Sequence, residues 1–419
     1  MSDQSTTCVI VGGGPAGMVA GLLLARGGVQ VTVLEKHPDF LRDFRGDTVH
    51  PSTLQLLDEL GLYDQFTALP TVTKFEKLGF NANGRQVVMT DFTRLRRLPH
   101  RYLAMVPQWD LLDLLADAAR DEPTFSLRMR HEVTGLLRDS TGRVTGVRYT
   151  SPDGPGQLHA HLTLVCDGRW SVCRRAAGLS EREFSVTTDM WWFRLPTDHD
   201  FQAPALPNRI NGQALIGGIP RKGYLQMGYA IPKGADARMR ARGIEALRHD
   251  VATAIPALAG EVKNLTSMDD VKLLDIRINR LTRWYTDGLL CIGDAAHAMS
   301  PAGGVGINLA VQDAVAAATR LATPLRERRV TTKDLAAVQR RRAWPARVVQ
   351  RGQVLGHRRG LDRLVAGKPV GSGKRIRVLA SLVGRIPALS ALPAYVVGVG
   401  VRPEHAPEFA RRDRQLSNT

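Results

Sequence analysis

The sequence predicts an α/β fold: a parallel-sheet unit interrupted by a mostly antiparallel β-sheet and followed by a C-terminal helical region. Three observations carry that expectation. Residues 7–11 form a β-rich apolar run that ends in a glycine cluster and opens onto a helical pattern. Residues 189–231 switch to aromatic-rich strands broken by Gly and Pro. Residues 289–293 are a second buried strand run, again followed by glycines and a helix.

Taken in order, a helix is expected from Pro15 to about Arg26, with Met18, Leu22 and Ala25 at helical spacing, and a second strand over 30–35. This βαβ start requires a parallel sheet buried on both faces. Residues 52–60 and 109–120 read as amphipathic helices. Residues 72–90 read as strands with a turn at Asn81-Ala-Asn-Gly84, and 131–150 and 157–166 as further strands with a hairpin near Ser140-Thr-Gly142. A helix over 237–255, strands over 271–281 and a helix opening near Gly306 follow. The remainder reads as helical, with an Arg340-Arg-Arg342 cluster and a glycine-rich break at 367–373. The first unit is assigned residues 1–70, 108–180 and 281–350. The inserted sheet takes 71–107 and 181–280, and the basic helical region 351–419.

Composition narrows the class. The 419 residues suffice for two or three core-bearing units, and 43% hydrophobic with 23% charged residues is ordinary for a globular protein. No run reaches the ~18 apolar residues of a membrane-spanning helix. The N-terminus lacks the basic segment and apolar core of a signal peptide. Cys8, Cys166, Cys173 and Cys291 form no CxxC pair or metal-like cluster, so a cytoplasmic location and no metal site are expected. Net charge is +17, but from Arg320 onward 22 Lys/Arg face 6 Asp/Glu, leaving 35 basic and 34 acidic residues before it. With no nucleic-acid module beside it, this basic region reads as a solvated surface, with neither a nucleic-acid partner nor a supported membrane contact.

Two motifs carry the chemistry. In Gly12-Gly-Gly14-Pro15-Ala16-Gly17, the first glycine permits a tight turn, Gly14 lets the backbone approach a diphosphate, and Gly17 allows close helix packing. The helix N-terminus then faces the phosphates with free N–H groups. Glu35, followed by Lys36, ends the second strand where a carboxylate can accept from a ribose. This is a Rossmann-like dinucleotide site, open to either NAD or FAD. Far downstream, Gly293-Asp294-Ala-Ala-His297-Ala-Met-Ser-Pro301-Ala-Gly-Gly304-Val-Gly306-Ile307-Asn308 follows a strand. Asp294 can hold ribityl hydroxyls, and glycine backbone can approach a flat ring at the positive end of a helix, which favours a reduced, anionic flavin.

With the intervening Asp167-Gly168-Arg-Trp-Ser-Val-Cys-Arg174, these motifs make residues 6–350 resemble the para-hydroxybenzoate hydroxylase family of class A FAD monooxygenases. The resemblance implies a glutathione-reductase-like FAD domain with an inserted substrate sheet. It implies that Arg45, in the segment leading to His50, and Gln108 contact FAD, that Val133 lies by the adenine, and that Pro301 lies beside the reactive ring edge. It ties Asp167 and Gly168 to both FAD and NAD(P)H, and it leaves His297 a candidate for catalysis. The implied reaction is hydride transfer from NAD(P)H to FAD, then O2 activation as a flavin C4a-hydroperoxide that hydroxylates or epoxidises an aromatic or polycyclic metabolite.

Substrate contacts are expected from the 189–231 strands. Trp192, Tyr224 and Met227 offer aromatic and soft apolar surface, and Arg194 and Arg221 can bind a carboxylate or phenolate. Because strand residues alternate, about half of these positions must pack elsewhere. Two other readings stay open at this stage: a reductase or oxidase on the same fold, and a flavin-loaded binding or redox-sensing module. A halogenase is disfavoured, since Phe193 stands where its Trp-x-Trp-x-Ile-Pro signature has the second Trp.

Overall fold

The structure is a computed structural model that describes residues 4–41, 47–82, 85–198, 205–206, 209–211, 214–221, 223–361 and 391–412. Its central element is an eight-stranded sheet. Strands Leu289–Cys291, Gly154–Val165, Gln4–Val11, Val31–Leu34 and Phe125–Arg128 run parallel in that spatial order. Tyr285–Thr286 pairs antiparallel at one edge, and the antiparallel strands Glu132–Arg138 and Val144–Ser151 branch from Gly154–Val165. Strand Val31–Leu34 is buried at every position, as a parallel strand covered on both faces must be.

Helix Pro15–Arg26 begins with Pro at its first turn, where the missing N–H costs nothing, and buries ten of its twelve residues. It packs against the long helix Val305–Arg326. A Cβ on Gly293 would lie 3.2 Å from both Ala16 and Ala310, so the turn after strand Leu289–Cys291 is wedged between the starts of these helices. Leu22, Leu23 and Leu24 are fully buried here, each contributing about 1.5–3 kcal/mol.

The inserted five-stranded sheet runs Arg209–Asn211, Ala214–Arg221, Tyr224–Pro232, Thr188–Pro196, Lys272–Leu274. One face, bearing Trp191, Phe193, Leu195, Leu225, Met227 and Tyr229, is sealed by helix Gly243–Ala254 into a second core. The other carries Trp192, Arg194, Arg221, Tyr224 and Gln226, as the cross-strand register requires.

Three expectations change. The helix over 237–255 is two helices, Asp236–Arg240 and Gly243–Ala254, because Gly243 takes a left-handed φ of 79° that breaks the run. Among its described residues, the C-terminal region is only partly helical. Helix Thr332–Gly356 and helix Leu392–Gly398 are followed by residues 399–412, an irregular strap with one short turn, Glu408–Ala410. The strap is held by Arg26 donating to the Ala410 carbonyl at 2.9 Å and by Glu59 accepting the Ala406 N–H at 2.7 Å. The expected turn at 81–84 and the break at 367–373 fall wholly or partly outside the described residues.

Gly17 tests the glycine turn. A Cβ there would lie 2.0 Å from the Gly12 carbonyl oxygen, so Gly17→Ala should destabilise the protein by about 2–4 kcal/mol. A lowered urea midpoint is the expected readout.

Candidate functional site

The three motifs meet at the carboxyl ends of adjacent parallel strands. Gly12 takes φ 100°, and a Cβ on it would lie 2.6 Å from the Cys166 carbonyl oxygen. The phosphate turn and the Asp167-Gly168 turn therefore lie in contact. Around Gly14, Gly168 and Gly306 an added Cβ would find nothing within 4 Å. These glycines face open space, unlike Gly12 and Gly17, which face packed backbone. Glu35 completes the turn: Oε2 accepts the Gly13 N–H at 2.8 Å and Oε1 the His37 N–H at 3.1 Å. Lys36 beside it is exposed. His131 donates its N–H to the Glu35 carbonyl at 2.9 Å, which carries Val133 past the end of the second strand with its side chain in the core.

Arg174 ties the second motif to the third. Buried at 4% exposure, it donates to the Ala295 carbonyl at 3.3 Å and the Arg169 carbonyl at 3.0 Å and pairs with Glu181 at 2.9 Å. Arg169 lies 3.6 Å from Asp294. Burial raises the Asp167 carboxyl above its ordinary value despite donors from Ser171 and Cys173, and Oδ1 has no partner among the described residues. A buried, unsatisfied acceptor beside open glycines is what a hydroxyl-rich ligand would complete.

The third motif is braced from behind. Thr48 Oγ1 and His50 Nε2 both donate to the Gly304 carbonyl, at 2.8 and 3.0 Å. The segment carrying Pro301 is gripped by helix Thr332–Gly356. Gln353 accepts the Ser300 N–H at 3.1 Å and donates to the Ser300 and Ala302 carbonyls, while Gln350 donates to Ala298 and His357 lies 2.7 Å from the Ser300 hydroxyl. Helix Val305–Arg326 starts at this turn, so the N–H groups of Val305, Gly306 and Ile307 are free of helical partners. Sequence reasoning missed Thr48, His50, Gln350, Gln353 and His357. A glutamine pair and a histidine on one face of an otherwise basic helix was the available signal.

Three expected site residues are corrected. His297 is 1% exposed and lies beneath the loop, its Nε2 2.6 Å from Asp313 and its ring against Trp284. Asp313 also pairs with Arg342 at 3.0 Å, which bonds Glu404 in turn. His297 is a structural member of a buried ionic chain, sealed from any reacting atom. The Asn308 side chain is committed to Ser52 and Thr53, which donate to its Oδ1 at 2.7 and 2.9 Å. Met227 is fully buried in the helix-covered core of the inserted sheet, so substrate does not reach it. Arg45 lies outside the described residues. Gln108 opens helix Gln108–Arg120, its backbone N–H bonded to Asp47.

The residues present suit a flavin dinucleotide: a diphosphate cradle, a carboxylate at the second strand, and a glycine backbone at a helix start. Fold and site together define a flavin-dependent oxidoreductase. Residues 5–352 match the family described as FAD binding domain, and the chain belongs to it. It is 33% identical over 389 residues to a 6-methylpretetramide 4-monooxygenase of Streptomyces rimosus, covering 91% of this chain and 90% of the relative. It is 30% identical to a 12-dehydrotetracycline 5-monooxygenase/anhydrotetracycline 6-monooxygenase of the same species, covering 73% of this chain and 60% of that relative's length. The solved structure of an anhydrotetracycline hydroxylase from Streptomyces rimosus superposes with a TM-score of 0.75 at 24% identity, over 97% of this chain and 78% of that one. The protein is an FAD-dependent monooxygenase using NAD(P)H and O2.

Two outcomes follow from the bracing. Burial pushes the His50 imidazole down from 6.5 to about 4. Between those pH values the unfolded chain takes up a proton that the folded one refuses, so His50's contribution, full above 6.5, is lost as pH falls toward about 4. FAD release followed by flavin fluorescence should rise across that window, and His50→Gln, which keeps a donor but does not titrate, should flatten the rise. Burial opposes ionisation of Asp313, but the charges and hydrogen bonds of His297 and Arg342 win and hold its carboxyl below the ordinary value. Asp313→Asn, which leaves buried Arg342 with Glu404 as its remaining carboxylate, should cost about 3–5 kcal/mol in urea unfolding.

Proposed function

We propose that this monooxygenase hydroxylates a polycyclic phenolic metabolite laid against the sheet face bearing Trp192, Arg194, Arg221 and Tyr224. The carrying observation is the make-up of that face. Trp192 lies over Gly228, where an added Cβ would fall 3.5 Å from the indole, and Gly228 stands opposite Gly217 in the ladder. With no side chain on Gly228, the Trp192 indole and the Met190 sulfur lie close over bare strand backbone, giving an aromatic floor suited to a planar ring system. Trp192 Nε1 and two nitrogens of Arg221 are buried donors with no partner among the described residues. Arg194 stacks over Tyr224 at 5.2 Å. The relatives reported above are named for 6-methylpretetramide, 12-dehydrotetracycline and anhydrotetracycline, polycyclic compounds that would suit such a floor.

In this reading Gly12, Gly14, Pro15, Ala16, Gly17 and Asp294 hold the diphosphate and ribityl chain, Glu35 the ribose, and Val133 the adenine. Arg45, Gln108, Asp167 and Gly168 close round the cofactor, and Gly304, Gly306 and Ile307 meet the ring edge beside Pro301. Bound there, the flavin supplies the redox chemistry that joins NAD(P)H oxidation to O2 activation. The protein's part is to orient the substrate, exclude water and position charge.

Incubation with NADPH, isotopically labelled O2 and either 6-methylpretetramide or anhydrotetracycline should give a product one labelled oxygen heavier. NADPH oxidation that yields only peroxide with every polycycle tried would reject the reading. Trp192→Ala should raise KM about tenfold. Met227→Ala, on the opposite face, should leave KM near wild type while lowering stability by about 2–5 kcal/mol.

A further inference from the structure

Helix Thr332–Gly356 has two sides of opposite chemistry. Its inner side buries Leu335, Val338, Ala346, Gln350 and Gln353. On the outer side Arg340, Trp344, Arg347, Arg351, Leu355 and, just past the helix end, Arg358 are exposed. Each follows the last by three or four positions, so they form one stripe. Trp344 is 50% exposed and Leu355 48%. The helix carries a single acid, Asp334, which is held in its cap by the Thr331 N–H and hydroxyl at 2.9 and 2.7 Å. None of the stripe's arginines has an ion pair among the described residues.

The positive charge continues onto the strands beside the helix. The register of Glu181–Phe184 against Ile278–Leu281 sets Arg182 directly opposite Arg280, a like-charged pair that is unfavourable by itself. Both guanidiniums lie over the Phe184 ring, at 5.3 and 5.0 Å. Arg280 reaches the helix, donating to Gln350 at 3.2 Å. Burial, and after it repulsion from Arg347, Arg182 and Arg351, lowers the Arg280 guanidinium below its ordinary value, with no carboxylate among the charges acting on it. A face that meets only water mixes both signs of charge. This one is uniformly positive and has an indole and a leucine set between its arginines.

We propose that this face docks on an anionic membrane surface, its arginines meeting lipid phosphates while Trp344 and Leu355 enter the headgroup layer. A bilayer accounts for both halves of the pattern: arginine suits phosphate, and tryptophan and leucine suit the acyl boundary. A small soluble anion would occupy the arginines and leave the apolar residues without a role. Helix Leu392–Gly398, whose Val396 and Val397 line a small void with Pro345 and Val349, adds exposed Leu392 and Tyr395. No described helix is long and apolar enough to cross a membrane, so the contact proposed is with the surface. Gln350 and Gln353, on the inner side of the same helix, hold the flavin loop. Docking would therefore set the oxygenase against the phase in which flat polycyclic compounds collect, but it does not depend on the substrate placement proposed above.

The test sediments flavin-loaded enzyme with vesicles of equal parts phosphatidylglycerol and phosphatidylcholine, and with vesicles of phosphatidylcholine alone. Wild type should pellet with the first and not the second, and raising salt from about 0.05 to about 0.5 M should release it. Joint Arg347→Glu and Arg351→Glu substitution should weaken binding about a hundredfold, and joint Trp344→Ser and Leu355→Ser about tenfold. Lipids with brominated acyl chains should quench wild-type tryptophan emission, and Trp344→Phe should lose most of that quenching. Flavin absorbance of each variant confirms that it is folded and loaded. Wild type left in solution with the anionic vesicles, or binding unchanged by either double substitution, would overturn the docking. A dimer broken by Trp344→Ser would assign the face to a second copy of the chain. Polyglutamate bound as tightly as the vesicles, and with the same need for Trp344, would assign it to an acidic protein. Either result also overturns the docking.

Discussion

The parallel pairing of strand Gln4–Val11 with strand Gly154–Val165 is the constraint on which the site depends. Its register sets Val11 opposite Val165, so the next residues on each strand, Gly12 and Cys166, emerge side by side. The chain can turn there only because Gly12 has no side chain. On the far side Val165 pairs with Cys291, which delivers Asp294 to the same rim. A hydrogen-bond ladder between segments some 150 positions apart thus converts three separate motifs into one crevice at the carboxyl ends of the strands.

Behind that rim, polar groups are matched almost one for one. Gly304 takes two donors on its carbonyl, Gln353 serves three backbone groups, and Asp313 neutralises Arg342 inside a helix pair. Buried groups left without partners are costly. Among the buried atoms without a partner in the described residues, which include Thr163 Oγ1 and Gln312 Nε2 elsewhere, Asp167 Oδ1, Trp192 Nε1 and two Arg221 nitrogens lie at positions where ligands are proposed.

Much of this was legible in the residues. The glycine turn, Glu35, Asp294 and the strand order of the first βαβ unit follow from patterns whose physics is local. The alternation of the inserted strands was foreseen as a rule, but its phase was not. Helix Gly243–Ala254 decides which face is sealed, and so Met227 went to the core while Trp192 stayed in front. His297 misled for a similar reason. It sits in a functional motif, yet its partner Asp313 lies a full helix away and Arg342 further still, in segments that composition alone reads as apolar helix and basic surface. The bracing by Gln350, Gln353 and His357 depends on how one helix rolls against a loop, which periodicity in a charged sequence does not fix.

The strap at residues 399–412 bears on how the protein is made. Arg26, at the end of the first helix, meets its Ala410 acceptor across 384 positions. On one side the first strand is flanked early by Val31–Leu34, but its other neighbour, Gly154–Val165, is available only after residue 154 has been synthesised. As the ribosome works, Leu22, Leu23 and Leu24 emerge early and wait for most of the chain before they are covered. Such late, long-range closure slows folding and prolongs the exposure of sticky surface. The core around the first helix is therefore completed only once the strap at 399–412 is available to dock.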